Sequence, residues 1–237
     1  MSNNPPTLTT RFAPSPTGFL HLGHVLSAAY VWGIGRFLNA KIILRIEDHD
    51  LGRCRKKFEE EIISDLDWLG FEPDDGVESP AKTSPFRQSD HLDTFKAKVE
   101  ELFLNGQVFY CRCSRKEIAA HTTHPEKLAE LVYPGTCRDL DLPISTKQGV
   151  RFKVSSEIVT FSDIINGTLT QNPAKQCGDF LLRDRNGFFT YHLCVCVDDL
   201  AQHINLIVRG EDITESTGRQ ILLMKDLGGA PEKAITY

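Results

Sequence analysis

Two hydrophobic repeats alternate along the first half of the chain, one typical of strands and the other of helices. The short run "TRFAP" ends at a proline and predicts a strand, and "KIILRIED" (41–48) predicts a strand buried on both faces, as in parallel sheets. Apolar residues recur at helical spacing in three segments, 24–40, 58–71 and 89–107. The order of strands and helices predicts an open α/β sheet.

The ends of these helices carry sequence signals of their own. Ser89 is the expected N-cap of the third helix. The first ten residues are expected to form a disordered or loosely held tail. We expect Trp32 and Trp68 to pack in the core or between helices. The three C-terminal ends are predicted at Asn39, Gly70 and the pair Asn105–Gly106.

The α/β pattern stops at Tyr110 and returns at Tyr191. The intervening sequence is at first basic, rich in Cys and His and poorly periodic; short strands follow over 149–172, and a hairpin is predicted around Asn186–Gly187. From Tyr191 onward the chain predicts a helix, a buried strand, a second helix and the beginning of a strand, at 191–202, 204–212, 216–229 and "AITY". A Cys-rich insert therefore interrupts an α/β domain.

Composition and charge narrow the class of protein. The 237 residues are 41% apolar and 25% charged, and no apolar run is long enough to span a membrane. The N-terminus lacks the features of a secretory signal, so we expect a cytoplasmic monomer that does not contact membranes. A net charge of −5 argues against a generally basic nucleic-acid binder. Over 110–155, however, eight Lys and Arg residues stand against five Asp and Glu, by chance or as a local RNA-binding surface.

The seven cysteines are an odd number in a chain without a secretory signal, which favours free thiols or a metal site over a disulfide framework. Cys111, Cys113 and Cys137 lie together in the basic insert. Structural zinc takes four ligands, mostly thiolate and imidazole. The spacing alone leaves free thiols and a zinc site as alternatives, with the fourth ligand to come from Tyr133, His121 or His124.

The other four cysteines indicate less about function. Cys194 and Cys196 stand in the apolar run "LCVCVDD", where buried free thiols are expected. The sequence assigns no role to Cys54 or Cys177.

The segment "RFAPSPTGFLHLGH" (11–24) places a stiff turn before the first helix. A helix N-terminus offers free N–H groups to a phosphate, and Gly18 and Gly23 would let a nucleotide approach the backbone. His21 and His24 lie three residues apart, so both can face one ligand. The alternative is a helix start with two surface histidines. The segment is not a P-loop, because the chain has no G-x-x-x-x-G-K-[ST].

Three charged residues follow predicted strands. Glu47 and Asp48 end "KIILRIED", and Arg209 ends "INLIVR". Taken by themselves, the two acids fit solvated residues at a strand end, and Arg209 fits a surface ion pair.

Four blocks, in this order, resemble those of class I aminoacyl-tRNA synthetases in the form found in glutamyl-tRNA synthetases. They are "RFAPSPTGFLHLGH", "RIEDHD", "YHLCVCVDD" and "IVRGEDI", spread over residues 11–213. The resemblance implies a Rossmann-like catalytic domain. It also implies a reaction in which glutamate attacks the α-phosphate of ATP, supplied with Mg, to give glutamyl-adenylate and pyrophosphate, after which the glutamyl group passes to RNA.

The resemblance also implies roles for single residues. His21 and His24 would act in catalysis and, with Gly18 and Gly23, bind ATP. A bound glutamate presents two carboxylates and an ammonium, which suit arginine forks and an acidic side chain. The residues implied to bind glutamate are Arg11, Phe12, Ala13, Pro14, Ser15, Glu47, Tyr191 and Arg209.

The Cys-x-Cys and Tyr-x-x-x-Cys elements, "CRC" and "YPGTC", are similar to the zinc site of a truncated relative family, the glutamyl-queuosine tRNA(Asp) synthetases. That similarity implies one structural zinc held by Cys111, Cys113, Tyr133 and Cys137. It implies transfer of glutamate to queuosine in tRNA(Asp), with glutamate activated in the absence of tRNA. Two alternatives are a non-catalytic paralogue that binds glutamate or RNA and the catalytic fragment of a glutamyl-tRNA synthetase.

The domain organisation implied is a catalytic domain in two halves, 1–108 and 188–237, around an inserted acceptor and zinc-binding α+β domain over 109–187. The family carries a Lys-rich KMSKS-type loop after the strand that "AITY" begins. This sequence contains no such loop up to Tyr237, and whether the native chain continues is left open.

Overall fold

The structure, a computed structural model, describes residues 8–78, 83–121, 131–144, 147–229 and 235–236. Its described helices are α1 Leu22–Phe37, α2 Lys56–Trp68, α3 Leu92–Leu104, α4 Arg115–Ala120, α5 Pro173–Gln176, α6 Tyr191–Ala201 and α7 Thr217–Asp226. Its strands are β1 Thr9–Phe12, β2 Lys41–Leu44, β3 Val108–Cys111, β4 Gly149–Phe152, β5 Val159–Asp163, β6 Gly167–Gln171, β7 Leu181–Arg183, β8 Leu206–Ile207 and β9 Ile235–Thr236.

Parallel pairing joins the strands that carry the α/β pattern. β1 pairs with β2, and β8 pairs with β9, both in parallel. β1 also lies beside β8, since the backbone N–H of Asn205 donates to the carbonyl of Thr9 and the Thr9 N–H donates to Asn205 Oδ1 at 2.7 Å. The parallel sheet predicted from "KIILRIED" is therefore confirmed.

The strands between α3 and α6 form two antiparallel groups. β3, β4 and β7 make one sheet in the order β3-β4-β7. β5 and β6 form a hairpin that pairs through β5 with β9. The hairpin thereby extends the edge of the parallel strands and brings its turn, residues 164–166, toward their carboxyl ends.

Two large apolar clusters hold these layers together. One lies between α1, α2, β1 and β2 and includes Phe12, Trp32 and Leu44. The other joins α3, α6 and α7 to β4, β5 and β7. Cys194 and Cys196 are free and fully buried in it, as expected.

Most of the predicted helix ends agree with the structure. Asn39 follows α1 in the left-handed region at φ 53°, and Gly70 and Gly106 follow α2 and α3 at 76° and 69°. Because these conformations are rare outside glycine and asparagine, the sequence signals were specific. The structure also places helices α6 and α7 and the start of strand β9 where they were predicted.

Three local predictions were wrong. Ser89 is not an N-cap, because it lies within a 3-10 turn, Gln88–His91, and its hydroxyl donates to Asp48 instead. Trp68 is 82% exposed on the last turn of α2 rather than packed. The expected tail is too long, because Thr9 and Thr10 already pair in β1; residues 1–7 lie outside the described residues.

The hairpin predicted around Asn186–Gly187 is present in reduced form. The Asp184 carboxylate accepts from the N–H groups of Asn186 and Phe188, and Gly187 adopts φ 91°. A single antiparallel bridge joins Arg183 to Phe189 before α6 begins at Tyr191. The turn signal was right, but the second arm becomes a helix.

Candidate active site

A cavity of about 390 Å³ opens where β1, the segment after β2, α6 and the segment after β8 meet. This is the carboxyl end of the parallel strands, where α/β sheets bind ligands. All eight residues that the resemblance assigned to glutamate line it. The lining consists of Arg11, Phe12, Ala13, Pro14, Ser15, His24, Ser27, Val31, Glu47, Tyr191, Val208, Arg209, Gly210 and Ile213.

Arg11 lies at one wall of this cavity as a buried cation. Its Nε donates to Asp199 Oδ1 at 3.0 Å, and its Nη1 donates to the carbonyl of Val208 at 3.4 Å. Burial alone would raise the pKa of Asp199, but the guanidinium groups of Arg11 and Arg45 outweigh it and hold that pKa below its ordinary value. The Asp199 carboxylate is therefore held in its ionised form beside Arg11.

Glu47 and Asp48 are buried, so the reading of both as solvated acids was wrong. Glu47 Oε1 accepts from Arg45 Nη2 at 2.9 Å. Asp48 is directed away from the cavity and accepts from the N–H and the hydroxyl of Ser89, at 2.8 and 2.6 Å. Of the two acids, Glu47 alone lines the cavity.

Arg209 is held by helix α7 and is not a surface ion-pair residue. Its Nη1 donates to Gln220 Oε1 at 2.6 Å, and its Nη2 donates to the hydroxyl of Thr217. The Gln220 amide lies 3.4 Å from Nδ1 of His192, whose pKa is lowered to about 3 by burial and by the charges of Arg219 and Arg209. A neutral imidazole beside the guanidinium network adds no positive charge to it.

Tyr191 begins α6 and lines the same cavity. Burial, reinforced by the Glu47 carboxylate, raises the pKa of this phenol. The hydroxyl therefore keeps its proton and can donate a hydrogen bond at neutral pH.

His21 and His24 together cap the N-terminus of α1. His21 Nδ1 accepts from the Gly23 N–H at 3.1 Å, and His24 Nδ1 faces the His21 N–H at 3.3 Å. The rings are stacked with their centroids 3.9 Å apart, and burial, followed by the proximity of His21, lowers the pKa of His24. With Nδ1 accepting, the proton of each neutral ring belongs on Nε2, where it can be donated to a ligand.

A second cavity of about 460 Å³ adjoins the first and shares Ser27, Val208, Arg209 and Gly210 with it. Gly23 lines this second cavity, whereas Gly18 lines neither of the two. The remaining walls come from α1, from the β5–β6 turn and from the segment after β8, namely Leu26, Tyr30, Asp163, Ile165, Asn166, Glu211 and Thr214.

Cys111, Cys113 and Cys137 form a cluster whose sulfur atoms all lie within 4.8 Å of one another. The Tyr133 hydroxyl lies 3.4 Å from Cys111 Sγ and 3.7 Å from Cys113 Sγ, and Cys113 and Cys137 Sγ are 3.5 Å apart. The Cys137 N–H also donates to the Tyr133 oxygen at 2.8 Å. Three sulfurs and one oxygen thus converge on a common centre. His121 is exposed, and His124 lies outside the described residues.

Arg151 of β4 packs against this cluster. Its Nε lies 3.2 Å from Cys111 Sγ, its Nη1 donates to the Asp179 carbonyl at 2.6 Å, and its guanidinium carbon lies 3.9 Å from the centre of the Tyr133 ring. Three thiolates around a divalent ion carry net negative charge, which a buried cation at this distance offsets. The donor set and its surroundings therefore fit a zinc ion.

The sequence predictions missed the residues that hold the cavity walls. Arg45, Asp199, Thr217 and Gln220 contact predicted site residues but were given no role. One signal was available in "KIILRIED": an arginine inside a buried apolar strand must meet an opposite charge.

Comparisons with known proteins place the chain in a family. A family model described as tRNA synthetases class I (E and Q), catalytic domain, matches residues 7–237. The chain belongs to this family. It is 37% identical over 230 residues to a glutamate–tRNA ligase of Sulfurihydrogenibium sp. strain YO3AOP1, covering 93% of this chain and 48% of the relative. The match to glutamate–tRNA ligase 2 of Syntrophus aciditrophicus is also 37%, over 93% and 47%.

Solved structures give the same fold for this synthetase catalytic domain. The glutamate tRNA ligase of Elizabethkingia meningosepticum, solved in complex with its amino acid, aligns at a TM-score of 0.78 and 30% identity, over 95% of this chain and 48% of that one. The glutamate–tRNA synthetase of Elizabethkingia anophelis aligns at 0.79 and 30%, over 95% and 49%. The chain spans about half the length of these relatives. No described helix is long and apolar enough to cross a membrane.

Proposed function

We propose that the chain activates L-glutamate with ATP to form glutamyl-adenylate and transfers the glutamyl group to queuosine in tRNA(Asp). The observation that carries the activation step is the cavity lined by two arginines, Arg11 and Arg209, together with a buried acid, Glu47. Glutamate has the complementary charges, two carboxylates and one ammonium. The capped N-terminus of α1 stands at its edge, where a phosphate would bind.

In this proposal the residues that line the cavity bind different groups of the glutamate. Glu47 receives the ammonium, and the forks of Arg11 and Arg209 receive carboxylates. Tyr191 donates its hydroxyl to a substrate oxygen. Ser15 and the backbone of residues 12–14 complete the wall beside Arg11. In this proposal Glu47, Arg11 and Arg209 orient the amino acid with its α-carboxylate toward the second cavity. Part of the binding energy is thereby used to align the reacting groups.

The nucleotide occupies the second cavity in this proposal, with its phosphates toward Gly23 and the two histidines. A carboxylate oxygen of glutamate attacks the α-phosphorus, the bond to the bridging oxygen breaks, and pyrophosphate leaves with Mg. The Nε2 protons of His21 and His24 donate hydrogen bonds to phosphate oxygens as charge shifts onto the leaving group. Contacts of this kind, held rigid before the reaction, contribute several kcal/mol of transition-state stabilisation.

One structural zinc belongs to the proposal, held by Cys111, Cys113, Tyr133 and Cys137. The contacts around the cluster support it, because Cys111 of β3, Tyr133 and Cys137 of the loop at 131–137, and Arg151 of β4 meet there. A tetrahedral ion at this point would stabilise the insert by linking the end of β3 to the loop at 131–137. The domain division, with 109–187 as the inserted domain, is part of the same proposal.

The identity of the RNA acceptor is the most specific part of the proposal. The Cys-x-Cys and Tyr-x-x-x-Cys pattern, similar to that of glutamyl-queuosine tRNA(Asp) synthetases, supports queuosine-bearing tRNA(Asp). A second candidate is the catalytic part of a glutamate–tRNA ligase, favoured by the names of the curated relatives. Both candidates activate glutamate with ATP, and they differ in the RNA acceptor.

Activation is tested by ATP–pyrophosphate exchange in the absence of tRNA. We expect labelled pyrophosphate to enter ATP when L-glutamate is present, because all eight residues proposed to bind glutamate belong to this chain and line one cavity. Glutamine and aspartate serve as controls and should give little exchange, since each mismatches the spacing or charge of the cavity. Equal exchange with all three amino acids, or none with glutamate, would contradict the proposed activation.

A further inference from the structure

We infer that Arg45 is a positioning residue for the ammonium end of the amino-acid cavity: it holds one oxygen of Glu47 so that the other faces the substrate. The inference rests on the proposed binding of glutamate. Arg45 does not line the cavity itself, so any effect it has on the substrate must pass through Glu47.

Hydrogen bonds hold both terminal nitrogens of Arg45, while its buried Nε has no hydrogen-bond partner among the described residues. Its side chain is 0% exposed, and its Nη2 donates to Glu47 Oε1 at 2.9 Å. Its Nη1 donates to Asp199 Oδ1 at 2.7 Å and to Gln202 Oε1 at 3.0 Å. The guanidinium is planar, so fixing Nη1 on α6 also fixes the direction in which Nη2 meets Glu47.

Glu47 is held at one oxygen only. Its Oε2 accepts no hydrogen bond from the residues that the structure describes, and the side chain lines the cavity. When one carboxylate oxygen is held by a hydrogen bond, the direction of the other oxygen is fixed. A carboxylate fixed in this way binds an ammonium group better than a mobile carboxylate does. Arg45 thus converts a buried acid into an oriented one.

The surrounding charges explain why the arginine is needed. Glu47, Asp198 and Asp199 all lie around Arg45, and their carboxylates raise its pKa against the effect of burial. Asp199 retains Arg11 as a second partner, whereas Glu47 has none among the described residues. Loss of Arg45 should therefore free Glu47 while the carboxylate-binding end keeps its cation.

Stability alone accounts poorly for this arrangement. Apolar side chains of similar volume commonly stabilise a protein as well as or better than a buried ion pair does. An arginine retained at the centre of three carboxylates, two residues before a cavity-lining acid, points to orientation of that acid.

The test compares two ligands that differ only in the ammonium group, L-glutamate and glutarate, by calorimetric titration of the full chain. In Arg45→Lys, which keeps the charge but not the fork, we expect affinity for glutamate to fall by about 30-fold. Affinity for glutarate should change by less than about threefold, because Arg209 shares no partner with Arg45 and Arg11 keeps its own hydrogen bond to Asp199. The exchange assay should show the loss in KM for glutamate with kcat nearly retained. The control Arg36→Lys, in the exposed pair with Asp74, should change neither affinity.

Gln202→Met provides a second variant should Arg45→Lys fold poorly. It leaves Arg45 in place but removes the acceptor at 3.0 Å, and we expect a smaller loss in the same direction, confined to glutamate. Equal losses for glutamate and glutarate, or no loss for either, would overturn the positioning role while leaving the proposed function intact. Failure of the unaltered chain to bind glutamate would overturn the proposed function and, with it, this role.

Discussion

Replacing Arg209 with alanine should lower glutamate-dependent ATP–pyrophosphate exchange by about 30-fold to several thousandfold, the equivalent of roughly 2–5 kcal/mol. The guanidinium is one of two cations in the cavity, and Thr217 and Gln220 already fix its position. Truncation removes a carboxylate contact and leaves both of those groups without their donor. The measurement is the exchange rate as a function of glutamate concentration.

Arg209→Lys shows whether the positive charge of Arg209 suffices or its planar guanidinium is needed, and Arg36→Ala serves as the control. Arg209→Lys keeps a cation in the cavity but cannot donate to Thr217, Gln220 and a substrate at once, so we expect an intermediate loss. Arg36→Ala removes an exposed arginine, 48% accessible in its pair with Asp74, and should leave the exchange unchanged. Unchanged exchange in Arg209→Ala would remove Arg209 from the glutamate site.

Removal of one cluster ligand should have the largest effect on stability. We expect the purified chain to contain about one zinc ion, and Cys137→Ala to contain less than about 0.2 per chain, because a structural site needs all four ligands. Binding free energy at such sites is also folding free energy. Cys137→Ala should therefore melt at a clearly lower temperature than the unaltered chain, as should that chain after chelation.

Cys54→Ser is the matched control for the zinc experiment. Cys54 is a partly exposed free thiol that touches Ser15 and takes no part in the cluster. Its replacement should leave both zinc content and melting temperature unchanged. An unaltered chain purified gently with less than about 0.2 zinc, or full zinc in Cys137→Ala, would contradict a structural zinc site.

Local signals and resemblance together predicted the walls of the cavity but not what holds them. Asn39 and Gly70 end helices because few residues adopt their backbone conformations, which is a property of the residues themselves. Arg45 and Asp199, by contrast, meet across 154 positions of sequence. No spacing rule relates two residues that far apart, so only the folded chain shows that they pair.

The wrong predictions for Ser89 and Trp68 also arise because local sequence does not reveal contacts between distant residues. Ser89 has the chemistry of an N-cap, but Asp48 competes for its hydroxyl and its N–H. Trp68 lies at a helical position that predicted packing, but α2 ends there and the ring extends past the described neighbours into solvent. In both cases tertiary partners, or their absence among the described residues, outweighed the local preference.

Incubation of the chain with ATP, labelled L-glutamate and unfractionated tRNA, taken from cells with and without queuosine, tests the central claim most directly. We predict label on tRNA(Asp) from queuosine-containing cells and none on tRNA(Asp) from cells that lack the modification. Label on tRNA(Glu) from both sources, or no label on any tRNA while glutamate still binds, would contradict glutamate transfer to queuosine.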